Sequence, residues 1–253
     1  MTSATSDRLI YVLRLADSHL VLGQRLAEWV GHAPALEEEL ALANLSLDCI
    51  GAARLLLDYA AAIEAAGRDA DALAFLRDAD EFRNLNLTEQ ENGDFAVTIV
   101  RQVFFDAWRL VLLEALTGSG DEQLAAIAAK TLIEARYHWR FSRGWLIRLG
   151  DGTAESRRRT EAALTKLWKF TAELFEPDRI DADMAASGIG PDLCALRKPW
   201  NLLIDSALAE ARLERPGVVD YRWFGKRGEH TEALGPLLAE MQHLQRAYPG
   251  VNW

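Results

Sequence analysis

Apolar residues recur at intervals of three and four along most of the chain, and no strict alternation competes with them, so the pattern predicts long amphipathic helices. Ser6 or Asp7 caps a first helix running to about Val30, with Leu9, Val12, Leu13, Leu20, Leu26 and Trp29 on one side, and Gly31 ends it. Pro34 suits a first helical turn, Glu37 to Glu39 suit the positive end of a helix dipole, and apolar periodicity then continues to about Ala66 before Gly67. These two segments are expected to form an antiparallel hairpin. A short helical piece, Ala70 to Arg77, and the polar stretch Asn84 to Gly93 read as a crossover. Asp94 caps a third helix through Phe95, Ile99, Val103, Trp108 and Leu112 to Leu116, which the Gly118-Ser119-Gly120 turn stops; a fourth runs from Asp121 to about Leu149.

Two long helices, a long connection and two more long helices predict an all-α fold, a ferritin-like four-helix bundle with one long crossover. Further helices near Ala154 to Phe175, Asp192 to Leu213 and Thr231 to Tyr248 read as C-terminal additions, joined by a Gly/Pro-bearing link and a loop. No boundary or repeat is visible, so residues 1–253 are expected to form one domain, with a core over about 6–150 and accessory helices over about 153–253.

Half of the 253 residues are hydrophobic, enough for a sizeable core, and a net charge of -10 argues against nucleic acid and anionic lipid as partners. Cys49 and Cys194 lie in apolar helical sequence without C-x-x-C spacing, which predicts buried reduced thiols and a cytoplasmic protein. Met1 to Leu9 has no signal pattern, and no apolar run approaches the roughly 18 to 20 residues of a spanning helix, so no membrane is expected. Gly-rich phosphate loops and a G-x-S-x-G elbow are absent from the sequence.

A ferritin-like bundle can hold two irons with a Glu from each of two helices and a Glu-x-x-His pair from each of the other two, because residues three apart share a helix face. Of the five histidines, His243 has a glutamate three places before it, Glu240, and that pair falls in the C-terminal helix, where a surface ion pair is the expected role. Asp48-Cys49-Ile50-Gly51 and Glu134-Ala135-Arg136-Tyr137 stand where the two motifs would be, with Gly and Tyr replacing the imidazoles. Polar residues nevertheless interrupt apolar faces: Gln24 and Glu28, Asn44 and Asp48, Gln102 and Asp106, then Lys130, Glu134 and His138. Carboxylates gathered in a dry core need compensation. A metal-free ion-pair network of Gln24, Glu28, Asp48, Asp106, Lys130, Glu134, Tyr137 and His138 is therefore expected, with Lys130 or Arg54 as the cation and no catalytic residue. Two alternatives stay open: these side chains face solvent or a partner, or Glu134 and His138, four apart, hold a single metal.

The run Leu22-Gly23-Gln24-Arg25-Leu26-Ala27-Glu28-Trp29 and the run Leu40 to Asp48 resemble the opening hairpin of the structural C subunits of bacterial phenylacetyl-CoA epoxidases. Lys130 to His138 resembles that family's fourth helix, and His230-Thr231-Glu232 with Leu238 to Gly250 its terminal signature, so the likeness spans nearly the whole chain. The resemblance implies a ferritin-like subunit without a cofactor of its own, paired with a homologous catalytic A subunit that binds di-iron. It further implies small accessory subunits and a reductase carrying FAD and an iron-sulfur centre, which draws on NADPH so that one oxygen atom of O₂ enters the aromatic ring of phenylacetyl-CoA. Against it stand a self-sufficient metal-dependent oxidase and a helical scaffold unrelated to oxygen chemistry. Eight tryptophans, among them Trp108, Trp139, Trp145 and Trp168, suit core packing or an interface. Arg157, Arg158 and Arg159, close to Arg136, Arg140 and Arg143, form the densest basic stretch and are candidates for contact with CoA phosphates or the reductase.

Overall fold

The computed structural model describes residues 3–251. Among them are eleven α-helices and no strand: α1 (Ser3–Ala27), α2 (Leu36–Glu64), α3 (Ala70–Phe75), α4 (Asn86–Glu89), α5 (Phe95–Leu116), α6 (Glu122–Gly150), α7 (Ala154–Trp168), α8 (Arg179–Ala186), α9 (Leu193–Glu210), α10 (Leu234–Met241) and α11 (His243–Ala247). The fold is thus all-α, as a ferritin-like bundle requires. The chain divides into two compact units, residues 1–91 with 223–253 and residues 92–222.

In the first unit α1 and α2 pack along their length as the expected hairpin. They approach closely at Gly23, whose carbonyl accepts the Ser46 hydroxyl at 2.7 Å; a β-carbon there would stand 2.9 Å from Ile50 Cγ1. The crossover is polar in sequence and yet buried: Asn84, Asn86, Thr88 and Glu89 are all fully buried. They are tolerated there because the C-terminal segment supplies hydrogen-bond partners: Asn86 Nδ2 donates to the carbonyls of Trp223 (2.9 Å) and Glu229 (3.1 Å). Glycine is required opposite them, since a β-carbon on Gly225 would overlap the Asn84 carbonyl oxygen.

The single last helix expected over Thr231 to Tyr248 is two, broken at Gln242. That side chain turns inward and donates to the carbonyls of Ala74 (3.2 Å) and Arg77 (3.0 Å). Glu240 and His243 consequently sit on separate helices, both exposed, and no ion pair joins them. A further correction concerns α2, which is long and apolar enough to cross a membrane by length and composition. One side of it, including Leu42, Leu45, Cys49, Leu56 and Leu57, is buried, whereas Leu36, Leu40 and Leu47 are exposed.

In the second unit Asp94 caps its helix as the sequence predicts, accepting from Val97 N, and Asp121, expected as the first residue of the next helix, stands just before it and accepts from Leu124 N, each at 3.0 Å. The helix α5 is buried on nearly every side, whereas α6 and α7 bury one stripe. Phe104, Trp168, Phe175 and Trp200 form an aromatic cluster, with Trp200 Nε1 donating to the Phe104 carbonyl at 3.1 Å. The expected Gly/Pro link contains α8, capped by Asp178, and α7 ends at Trp168 before two 3₁₀ turns. Cys49 is buried as expected; Cys194 is exposed, because it occupies the outward side of the first turn of α9 while Leu193 and Leu196 face in.

Candidate functional site

Gln102, Asp106 and Arg109 recur at four and three on α5, and Glu134, His138 and Ser142 at four on α6, which puts each trio on one helix face. The two helices pack together, and the trios meet. Gln102, Asp106, Arg109, His138 and Ser142 are all fully buried, and Glu134 is half-buried at the edge.

The arginine organises this cluster. Arg109 Nη1 donates to His138 Nδ1 at 3.0 Å, and Nη2 lies 3.7 Å from Glu134 Oε2. A guanidinium can only donate, so His138 Nδ1 is the accepting nitrogen and the ring is the neutral tautomer with its proton on Nε2. The 4.0 Å approach of His138 Nδ1 to Asp106 Oδ1 is therefore proximity without a shared proton. Asp106 accepts from Gln102 Nε2 at 3.1 Å. Burial pushes its carboxyl up to about 7, against the opposing pull of the Ser142 hydroxyl, the Arg109 charge and the Gln102 amide.

That displacement has a measurable consequence. An unfolded Asp106 titrates near 3.8 and the folded one near 7. Between those values the folded chain keeps a proton that the unfolded chain has lost, so this group's contribution to stability falls as pH rises from about 4 to about 7 and is level beyond. Asp106→Asn should remove that slope and stabilise the chain at pH 8 relative to pH 5, by up to about 2.5 kcal/mol of difference. Urea denaturation across pH 4.5 to 8 measures it, and parallel profiles for the two proteins would show that Asp106 is not the titrating group.

The other expected members are placed differently. Lys130 is exposed on α6, as is Arg54 on α2, so the cation beside Asp106 is Arg109 and not either of these. Tyr137 is 40% exposed and carries Arg140 over its ring at 5.5 Å. Gln24, Glu28 and Asp48 are half-buried in the first unit. There Glu28 pairs with Arg25 Nη1 at 2.8 Å, and Arg25 also donates to the carbonyls of Glu89 (3.0 Å) and Ala233 (2.8 Å). Arg158 and Arg159 both bond Glu155, whose carboxyl they hold down at about 2, and Arg159 reaches Asp94; Arg157 donates to the Arg212 carbonyl at 2.9 Å.

Sequence reasoning misses Arg109 and Ser142, although each continues a polar stripe, one turn beyond Asp106 and His138. The first unit also holds buried charge that the sequence conceals. Glu89 accepts from Asn84 Nδ2 and His230 Nδ1, each at 2.9 Å, while His230 Nε2 lies 3.0 Å from the Phe82 carbonyl oxygen. With acceptors at both ring nitrogens, His230 satisfies them only as the doubly protonated imidazolium.

As a donor set, the α5–α6 cluster does not suit a pair of metal ions. The imidazole nitrogen Nδ1 already accepts from Arg109, whose fixed positive charge stands where a cation would have to approach both His138 and Glu134. Among the described residues, no group of three or more His, Cys, Asp and Glu side chains could hold a metal ion.

The model of the phenylacetic acid catabolic protein family matches residues 1–253. The C subunit of the 1,2-phenylacetyl-CoA epoxidase of Escherichia coli (strain K12) is 55% identical over 243 residues, a match covering 96% of this chain and 98% of that relative.

Proposed function

Because the chain belongs to the phenylacetic acid catabolic protein family, we propose that it is the structural, non-catalytic subunit of a phenylacetyl-CoA epoxidase, working in the cytoplasm beside a homologous di-iron subunit. A role in phenylacetate catabolism follows from the relationship itself. The observation that carries the finer reading is Arg109: a guanidinium bonded to the one buried imidazole of α6 supplies by covalent attachment the positive charge that a catalytic relative takes from iron. Oxygen activation, with di-iron there and FAD and an iron-sulfur centre in a reductase, belongs to partner chains in this account.

A bundle of this kind acts by support. Helix-on-helix packing against a catalytic bundle fixes that bundle's ligand-bearing helices from outside, and such distant support raises activity without contributing a ligand. Co-expression with a ferritin-like partner carrying two E-x-x-H motifs, followed by an NADPH-dependent epoxidation assay with phenylacetyl-CoA, tests it. Activity should require both chains and survive Glu134→Gln in this one, since Glu134 lies at the edge of the cluster. Full activity from the partner alone, or turnover by this chain alone, would contradict the assignment.

A further inference from the structure

The outer side of α2 exposes large apolar side chains where a lone helix has no reason to carry them. Glu37, Leu40, Asn44, Leu47, Gly51 and Arg54 are all exposed and follow one another at alternating intervals of three and four, the seam of a paired helix. Leu40 is 57% and Leu47 65% exposed, with Leu36 and Ile50 beside them. Gly51 lies mid-helix with nothing within 4 Å of where its β-carbon would be. A glycine there costs about 1 kcal/mol of helix stability relative to alanine, and close approach of another helix is the ordinary compensation.

The charges along this seam say what approaches. Laid antiparallel on itself about a twofold axis between residues 45 and 46, the seam places Glu37 opposite Arg54, Leu40 opposite Gly51 and Asn44 opposite Leu47, each match occurring twice. Large meets small, and acid meets base. Among the described residues neither Glu37 nor Arg54 has an ion-pair partner. We propose that the outer face of α2 is the docking surface for a second copy of this chain, with the two α2 helices crossing antiparallel and Leu40 of each copy seated on Gly51 of the other. The face also explains why α2 carries apolar residues on two sides, one buried and one exposed.

Analytical ultracentrifugation of the full-length protein tests this through charge reversal. Glu37→Arg alone and Arg54→Glu alone each set like charges opposite one another at two places and should raise the dimer dissociation constant about tenfold or more; the double variant should restore it. Restoration also shows that the single variants lose pairing and not their fold, which circular dichroism checks independently. A protein that is monomeric at every concentration, a dimer indifferent to both reversals, or one that forms only with a ferritin-like partner or on lipid vesicles overturns the proposal.

Discussion

Replacing Arg77 by methionine should destabilise the chain by about 3 to 5 kcal/mol, the cost of stranding a buried carboxylate. Asp17 is 0% and Arg77 1% exposed, and the two side chains meet fork to fork, with Arg77 Nη1 donating to Asp17 Oδ2 at 3.0 Å. The same oxygen accepts the Arg83 backbone N–H at 2.9 Å, and the guanidinium lies 4.3 Å from the centre of the Phe82 ring. One aspartate on α1 thereby holds both ends of the segment after α3. The double variant Asp17→Asn, Arg77→Met removes the uncompensated charge and should recover part of the loss, leaving the Arg83 N–H with a weaker acceptor. Urea midpoints for the two single variants and the double measure the coupling. Additive losses would mean that the charges act independently.

Arg109→Met should cost a similar amount, about 3 to 5 kcal/mol, with a pH dependence set by Asp106. Removing this guanidinium leaves His138 Nδ1 without its donor and deprives Asp106 of its neighbouring cation. Asp106 has a way out, because burial already places its titration at about 7. At pH 6 it takes a proton and the variant loses less; at pH 8 it must be ionised or bind that proton at a further cost. The stability difference between wild type and Arg109→Met should therefore widen as pH rises through 7. Equal loss at pH 6 and pH 8 would remove Asp106 from the account.

The two clusters show what a sequence discloses of such a protein. Helix periodicity and the cap Asp94 were legible because burial stripes and capping are local, written within one or two turns. The burial of the polar stretch over Asn84 to Glu89 was not legible, for the opposite reason: what keeps it buried comes from Trp223, Glu229 and His230, more than a hundred residues away. The α5–α6 site was legible in half. Asp106, Glu134 and His138 stood out as polar interruptions of apolar faces, but choosing Arg109 over Lys130 as the cation depends on which residue faces inward across a helix pair. The packing of α5 on α6 decides it, and no local pattern records that.

The identity of the positive charge between α5 and α6 is open to direct measurement. Iron analysis of the purified chain, after anaerobic loading with ferrous ion and dialysis against chelator, should find less than about one iron per ten chains, and Arg109→Ala should not by itself create a tight site, since the imidazole and carboxylates left are too few for two irons. Two irons retained per wild-type chain would contradict the account outright.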